Sequence, residues 1–168
     1  MGSDNVNPVY YSWFASPVGC LLLAGSSARL SLVSFAAGKR ARSVDPEWRL
    51  DNSAFLEVVD QLQSYFAGER TNFDLPLLLE GTDFQKKVWT ALQEIPYGET
   101  ISYKKLAETV GSPKGVRAVG AANGANPIPI IIPCHRVIGH DGSLTGFGGG
   151  LPLKKQLLEL ESHQLKLI

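Results

Sequence analysis

The sequence predicts a two-part α/β protein. A small antiparallel sheet plus one helix occupies residues 1–81, and a helical half with a helix-turn-helix and a reactive thiol occupies residues 82–168. Three observations carry that prediction. Short apolar and β-prone runs alternate with turn chemistry up to residue 35, helical hydrophobic spacing takes over beyond residue 52, and a proline-stiffened apolar run leads straight into Cys134-His135.

Length and composition bound the rest. A chain of 168 residues can bury about two-thirds of its unfolded surface without staples. The N-terminus lacks the basic and long apolar segments of a secretory leader, and no run approaches the ~18 apolar residues of a membrane span. The expected location is the cytoplasm, or the nucleus in a eukaryotic source. Cys20 and Cys134 are too few for a disulfide framework, and Cys134, His135 and His140 offer three metal ligands without a fourth at usual spacing. No metal or other cofactor is expected. Cys20 opens the apolar run Cys20-Leu21-Leu22-Leu23-Ala24 and reads as packing.

Net charge is zero, but its distribution is uneven. Residues 1–82 hold six Lys and Arg against nine Asp and Glu, while residues 83–168 hold ten against seven. Between Glu108 and Asp141 there is no carboxylate, whereas Lys114, Arg117 and Arg136 lie in that window. Such a window suits a polyanionic partner.

In order along the chain, residues 10–14, 20–24 and 30–35 read as strands, separated by Ser16-Pro17-Val18-Gly19 and Gly25-Ser26-Ser27. Residues 39–51 are charged, contain Pro46 and read as a surface loop. Asn52-Ser53 offers an N-cap before the stripe Phe55, Val58, Val59, Leu62 and Phe66, which ends at Gly68. Residues 71–81 lack helical spacing and read as an extended linker. Thr82-Asp83-Phe84-Gln85 is a capping box that opens a helix with Phe84, Val88, Ala91, Leu92 and Ile95 on one face, stopped by Pro96.

Ser102 then caps a short helix ended by Gly111, and Ser112-Pro113 restarts a third, the pattern of a helix-turn-helix. On that third helix Val116, Val119 and Asn123 share one face, while Arg117, Ala121, Gly124 and Ala125 share the other. Small side chains let a helix backbone press into a DNA minor groove and leave the single long cation to reach inside. Residues 139–150 hold six glycines, so their backbone can approach a flat ligand closely. A last helix from Pro152 buries Leu153, Leu157 and Leu160, with Glu161 on the flank.

The stretch Asn126-Pro127-Ile128-Pro129-Ile130-Ile131-Ile132-Pro133-Cys134-His135-Arg136-Val137 organises the chain. Three of its prolines restrict the backbone before the thiol. A helical turn starting at Pro133 places Cys134 near a positive helix end, and His135 and Arg136 supply a base or a positive field that favours the thiolate.

Pro-Cys-His-Arg-Val resembles the active-site motif of the O6-alkylguanine-DNA alkyltransferases, the methylated-DNA–protein-cysteine methyltransferases, and the likeness extends from about Ser16 to Glu161. It implies an RNase-H-like first domain and a winged-helix-like second. It also implies direct reversal of alkylation on guanine O6, and on thymine O4, in duplex DNA bound through the minor groove by a monomer. Cys134 would take the alkyl group once and irreversibly, with His135 accepting the thiol proton through water and Glu161 fixing the His135 tautomer. Arg117, in the matching Arg-Ala-Val-Gly motif, would fill the gap left by a flipped nucleotide. Tyr103 would donate to the purine, the Val137 carbonyl and the backbone near Phe147 and Gly148 would read the base edge, and Asn126 would link the DNA helix to the thiol loop.

Two positions depart from the family pattern. Phe147 stands where Tyr is common, and Gly148 where some relatives have Ser. The competing readings are a lesion-sensing DNA-binding protein without transfer, against which Cys134 argues, and a Cys-His-Glu acyl hydrolase, which has no evident need of Arg117 on a helix-turn-helix.

Overall fold

The computed structural model describes residues 7–165. β1 (Tyr10–Ser16), β2 (Gly19–Gly25) and β3 (Leu30–Phe35) form an antiparallel meander, and β4 (Arg49–Leu50) adds parallel to β1, giving the order β3-β2-β1-β4. The first two strands meet through Pro17-Val18, where Gly19 takes φ 106°, a conformation that favours glycine.

Leu21, Leu22 and Leu23 are all buried, which an alternating strand with one wet face would not allow. The reason is that both faces of the sheet are covered. Leu21 and Leu23 join the main core with Phe14, Val33 and the helix α1 (Leu56–Phe66), while Leu22, Ala24 and Leu32 pack under Tyr11, Val44 and Trp48. The segment from 39 to 51, expected as a plain surface loop, therefore supplies the sheet's outer cover and the short strand β4.

Helix α1 starts later than Asn52-Ser53 suggested. Its N-cap is Phe55 without a side-chain bond, because Asp51 turns back to bind Ser53 through both backbone and hydroxyl. Tyr65 on this helix is fully buried, three residues after Leu62, whereas Phe66 is only half-buried. The expected linker at 71–81 is tied down as well. The Leu30 amide donates to Pro76 O at 3.0 Å, the Leu78 amide donates to Leu30 O at 2.8 Å, and Leu75, Leu77 and Leu79 pack on the core at every second position.

α2 (Asp83–Leu92) carries the full capping box at Thr82 and Gln85. β5 (Ile101–Ser102) precedes α3 (Tyr103–Thr109), which Ser102 caps through the Lys105 amide at 3.0 Å. After Gly111, at φ 76°, Ser112-Pro113-Lys114-Gly115 forms a turn rather than a first helical turn, and α4 runs Val116–Gly124. Trp89 on α2 donates its indole N–H to Ala122 O at 2.8 Å and so fixes α4 against α2. β6 (Val137–Ile138) pairs parallel with β5, and α5 (Leu151–Leu165) closes the described chain. Among the described residues, no helix is long and apolar enough to cross a membrane, and no group of three or more His, Cys, Asp or Glu side chains is placed to hold a metal ion.

Candidate active site and nucleic-acid interface

The apolar run before the thiol folds into a compact knot. Ile130 has φ 74° while only 1% exposed, a strained conformation for a β-branched residue, and it lets the Ile132 amide reach back to Ile128 O at 2.9 Å. Asn126 clamps this knot at both ends. Its Nδ2 donates to Ile132 O at 2.7 Å and its Oδ1 accepts from the Ile128 amide at 2.9 Å. The chain then enters a single 3₁₀ turn, Cys134–Arg136, whose three residues are all buried.

His135 is fully buried with Nε2 2.8 Å from Glu161 Oε1, as the resemblance implied. Glu161 ionised is acceptor-only, so Nε2 carries the proton and Nδ1 is left as the basic lone pair. Nδ1 is buried and has no hydrogen-bond partner among the described residues. Burial lowers the His135 pKa, against the hydrogen bond and charge of Glu161, which raise it.

Arg136 is placed differently from expectation. Instead of supplying the positive field for the thiol, it lays its guanidinium along Glu161 through Nε and Nη2 at 2.8–3.2 Å, and Nη1 donates to Ile95 O at 2.7 Å. Tyr65 adds a 2.9 Å hydroxyl bond to the same carboxylate. Burial alone would raise the Glu161 pKa, but hydrogen bonds from His135 and Arg136 outweigh it and hold the group at about 2.

The charge that acts on Cys134 is Lys154, on α5 and fully buried. Its ammonium donates to the carbonyls of Val137 and Thr145, and burial lowers its pKa to about 8. Sequence spacing held a signal for it, since Lys154, Leu157 and Glu161 lie at i, i+3 and i+7 of one helical face. The thiol itself is 5% exposed, and burial pushes its pKa up to about 11 against the opposing pulls of Asn126, Lys154 and nearby backbone amides. Burial of the sulfur thus opposes the thiolate that its sequence neighbours were expected to favour.

A cleft of about 240 Å³ opens on Cys134. Asn123, Asn126, Phe147 and Gly148 line it from the second half, and Val33, Phe35 and the Lys39–Arg42 stretch line it from the first. The Phe147 ring lies 5.6 Å from the Phe35 ring, which anchors the glycine-rich loop on β3. Gly149 packs closely there, since a Cβ would sit 2.6 Å from the Leu153 side chain and 2.7 Å from the Phe35 ring and would force them to move.

Residues 83–163 match the domain family described as 6-O-methylguanine DNA methyltransferase, DNA binding domain, and residues 9–79 match its ribonuclease-like domain. The chain belongs to the methylated-DNA–protein-cysteine methyltransferase family. The methyltransferase of that name from Methanosarcina barkeri is 51% identical over 158 residues, covering 94% of this chain and all of that protein. The structure is similar to Mycobacterium tuberculosis OGT in complex with DNA, with TM-score 0.87, 51% identity and coverage of 92% of this chain and 94% of that one. It is also similar to the O6-methylguanine-DNA methyltransferase of Pyrococcus kodakaraensis, with TM-score 0.67, 28% identity and coverage of 91% and 98%.

A second, more open surface is lined by Tyr103, Lys104, Arg117, Gly120, His140 and Gly146, the last of which also lines the Cys134 cleft. Arg117, Ala121 and Lys114 are exposed, in keeping with the small-residue face read from the sequence. That face is narrower than expected. Gly124 and Ala125 are half-buried, with Gly124 against the Arg40 guanidinium, and Val116, read on one face with Val119 and Asn123, is 36% exposed. Tyr103 ties this surface to the glycine-rich loop, its hydroxyl donating to Thr145 O at 2.8 Å.

Proposed function

We propose that this protein reverses alkylation of guanine O6 in duplex DNA by moving the alkyl group onto Cys134 in one irreversible turnover, with thymine O4 as a further acceptable site. The observation that carries this reading is the buried His135–Glu161 pair at 2.8 Å, next along the chain from a buried Cys134, with Nδ1 of His135 unpartnered among the described residues. Backed by an ionised Glu161, that nitrogen takes the thiol proton through a bridging water, and the carboxylate stabilises the imidazolium that forms.

The alkyl carbon of a stacked base lies out of reach of a thiol buried in a cleft. The nucleotide is therefore rotated out through the minor groove, at a cost of about a few kcal/mol, and Arg117 offsets part of that loss by entering the stack. In the chemical step the Cys134 Sγ–carbon bond forms as the carbon–O6 bond breaks, and the electron pair passes to the purine. Tyr103 exchanges its bond to Thr145 for one to the purine and neutralises that charge. The Val137 carbonyl, which keeps a second lone pair beside Lys154, and the backbone at Phe147 and Gly148 receive the base edge. Asn126 fixes the thiol relative to α4, and Lys114 and Ala121 belong to the DNA face. The thioether formed is inert, so the chain acts as a monomer that is consumed by its reaction.

Incubation with a duplex containing O6-methylguanine tests the proposal by intact mass and peptide mapping. The expected result is a gain of one methyl on Cys134 that plateaus at about one equivalent per protein. Methyl found on Cys20, or turnover well beyond stoichiometry, rules it out.

A further inference from the structure

We infer that Tyr65 is a positioning residue for alkyl transfer, a side chain of the first half of the chain that holds the carboxylate behind His135 and sets how readily that histidine keeps a proton. The inference rests on the transfer reaction proposed above. Tyr65 lies on α1, 96 positions before Glu161, and is fully buried. Its hydroxyl donates to Glu161 Oε1 at 2.9 Å, the same oxygen that His135 Nε2 and Arg136 Nη2 approach at 2.8 Å. Among the described residues, it is the one side chain from the first half that bonds this carboxylate.

The Tyr65 hydroxyl acts as a donor throughout. Burial and the Glu161 charge hold its pKa well above the ordinary value, so it keeps its proton across neutral pH. Three rings fix its aim, with Phe66, Phe73 and Tyr97 at centroid distances of 5.2, 5.4 and 6.1 Å.

Every donor on Oε1 draws on one negative charge. An oxygen already bonded by a neutral hydroxyl has less charge left to stabilise an imidazolium, so Tyr65 opposes the pull of Glu161 and favours neutral His135. In that form Nδ1 is ready for the Cys134 proton. The other groups facing the pair keep one charge state on the acid side of neutrality. Arg136 is a permanent cation, Lys154 on α5, at about 8, stays charged, and Glu161, at about 2, stays ionised. Cys134, at about 11, and Tyr97 in the turn after α2, raised by burial, stay neutral. The acid limb of the rate therefore reports His135.

Tyr65→Phe removes the hydroxyl and keeps the ring. Single-turnover transfer is measured across the acid limb with an O6-methylguanine duplex and with free O6-benzylguanine, which removes any effect of pH on DNA binding. The midpoint of the limb is expected to rise by about half a pH unit on both substrates, the influence of one shared hydrogen bond. The neutral plateau should rise about threefold with it, because a more basic His135 holds the thiol proton correspondingly more of the time. A 3-fluorotyrosine at position 65 donates more strongly and should move both quantities the other way, which keeps the test open where the phenylalanine variant fails to fold. A merely structural role would lower the rate and leave the midpoint in place. An unchanged or lower midpoint in folded Tyr65→Phe, or no fall with fluorotyrosine, overturns the inference while leaving the transfer reaction standing. Absence of transfer from O6-methylguanine by the unmodified protein would instead remove the reading on which the inference depends.

Discussion

Glu161 reaches back from the last helix to set its Oε1 2.8 Å from His135 Nε2, and the same oxygen lies 2.8 Å from Arg136 Nη2. One carboxylate thus holds the proposed base in its tautomer and neutralises a buried cation.

Breaking that pair is expected to cost stability first. Glu161→Gln leaves a 6% exposed guanidinium without its counter-charge, a loss of about 3–5 kcal/mol. Combining it with Arg136→Met removes the stranded charge and should recover a large part. Urea midpoints of the two variants and the parent decide this, and a single variant as stable as the parent would show that the ion pair contributes nothing.

The same group predicts acid sensitivity. Glu161 is held at about 2 in the folded protein against an ordinary value of 4.5, so the unfolded chain binds more protons between the two. Its stabilisation is complete above 4.5 and is lost as pH falls toward 2. The unmodified protein should therefore lose stability in that window more steeply than Glu161→Gln does in parallel denaturant titrations.

A thiol at about 11 next to a histidine lowered by burial predicts a flat rate through neutral pH. Between the two values the neutral pair dominates, and the fraction that has passed its proton from Cys134 to His135 does not depend on pH. Transfer should fall only on the acid side, where His135 gains a proton. Iodoacetamide, given no help from the cleft, should label the exposed Cys20 before Cys134. A rate that climbs through the ordinary thiol range would show Cys134 losing its proton to solvent rather than to His135, and prior labelling of Cys134 would show a thiolate already formed.

Lys154→Met removes the one cation acting directly on the thiol and strands the carbonyls of Val137 and Thr145. Transfer is expected to slow by about tenfold, the effect of one pKa unit on Cys134. Thermal stability should change less, because burying the ammonium is itself unfavourable. An unchanged single-turnover rate would reduce Lys154 to a packing residue.

Arg117 is exposed at the start of α4 and does not line the Cys134 cleft. Arg117→Ala should slow repair of duplex DNA far more than reaction with free O6-benzylguanine, since only the duplex demands flipping. Salt should also weaken duplex binding through loss of phosphate contacts. Equal losses on both substrates would assign Arg117 to folding or chemistry.

Features set by residues a few positions apart were legible in the sequence. The Thr82 and Gln85 capping box and the Ser102 cap depend on local spacing and stand in the structure as read, and the helical turn read from Pro133 is a 3₁₀ turn over Cys134–Arg136. Local rules also overreached. Ser112-Pro113 and Asn52-Ser53 carry helix-start chemistry, yet each is used in a turn, the first closed by the Gly115 amide on Ser112 O and the second by the Asp51 carboxylate on Ser53.

What tertiary structure alone decided is which charge meets which group. Tyr65 and Glu161 lie 96 positions apart, and nothing between them announces a hydrogen bond. Arg136 adjoins His135 in sequence but spends its fork on Glu161, while Lys154, from another helix, supplies the charge near the thiol. Residues that read as a thiolate site therefore bury a sulfur whose surroundings oppose the thiolate. The balance between desolvation and a nearby charge is set by everything packed around the sulfur, and neighbours along the chain determine only a small part of that shell.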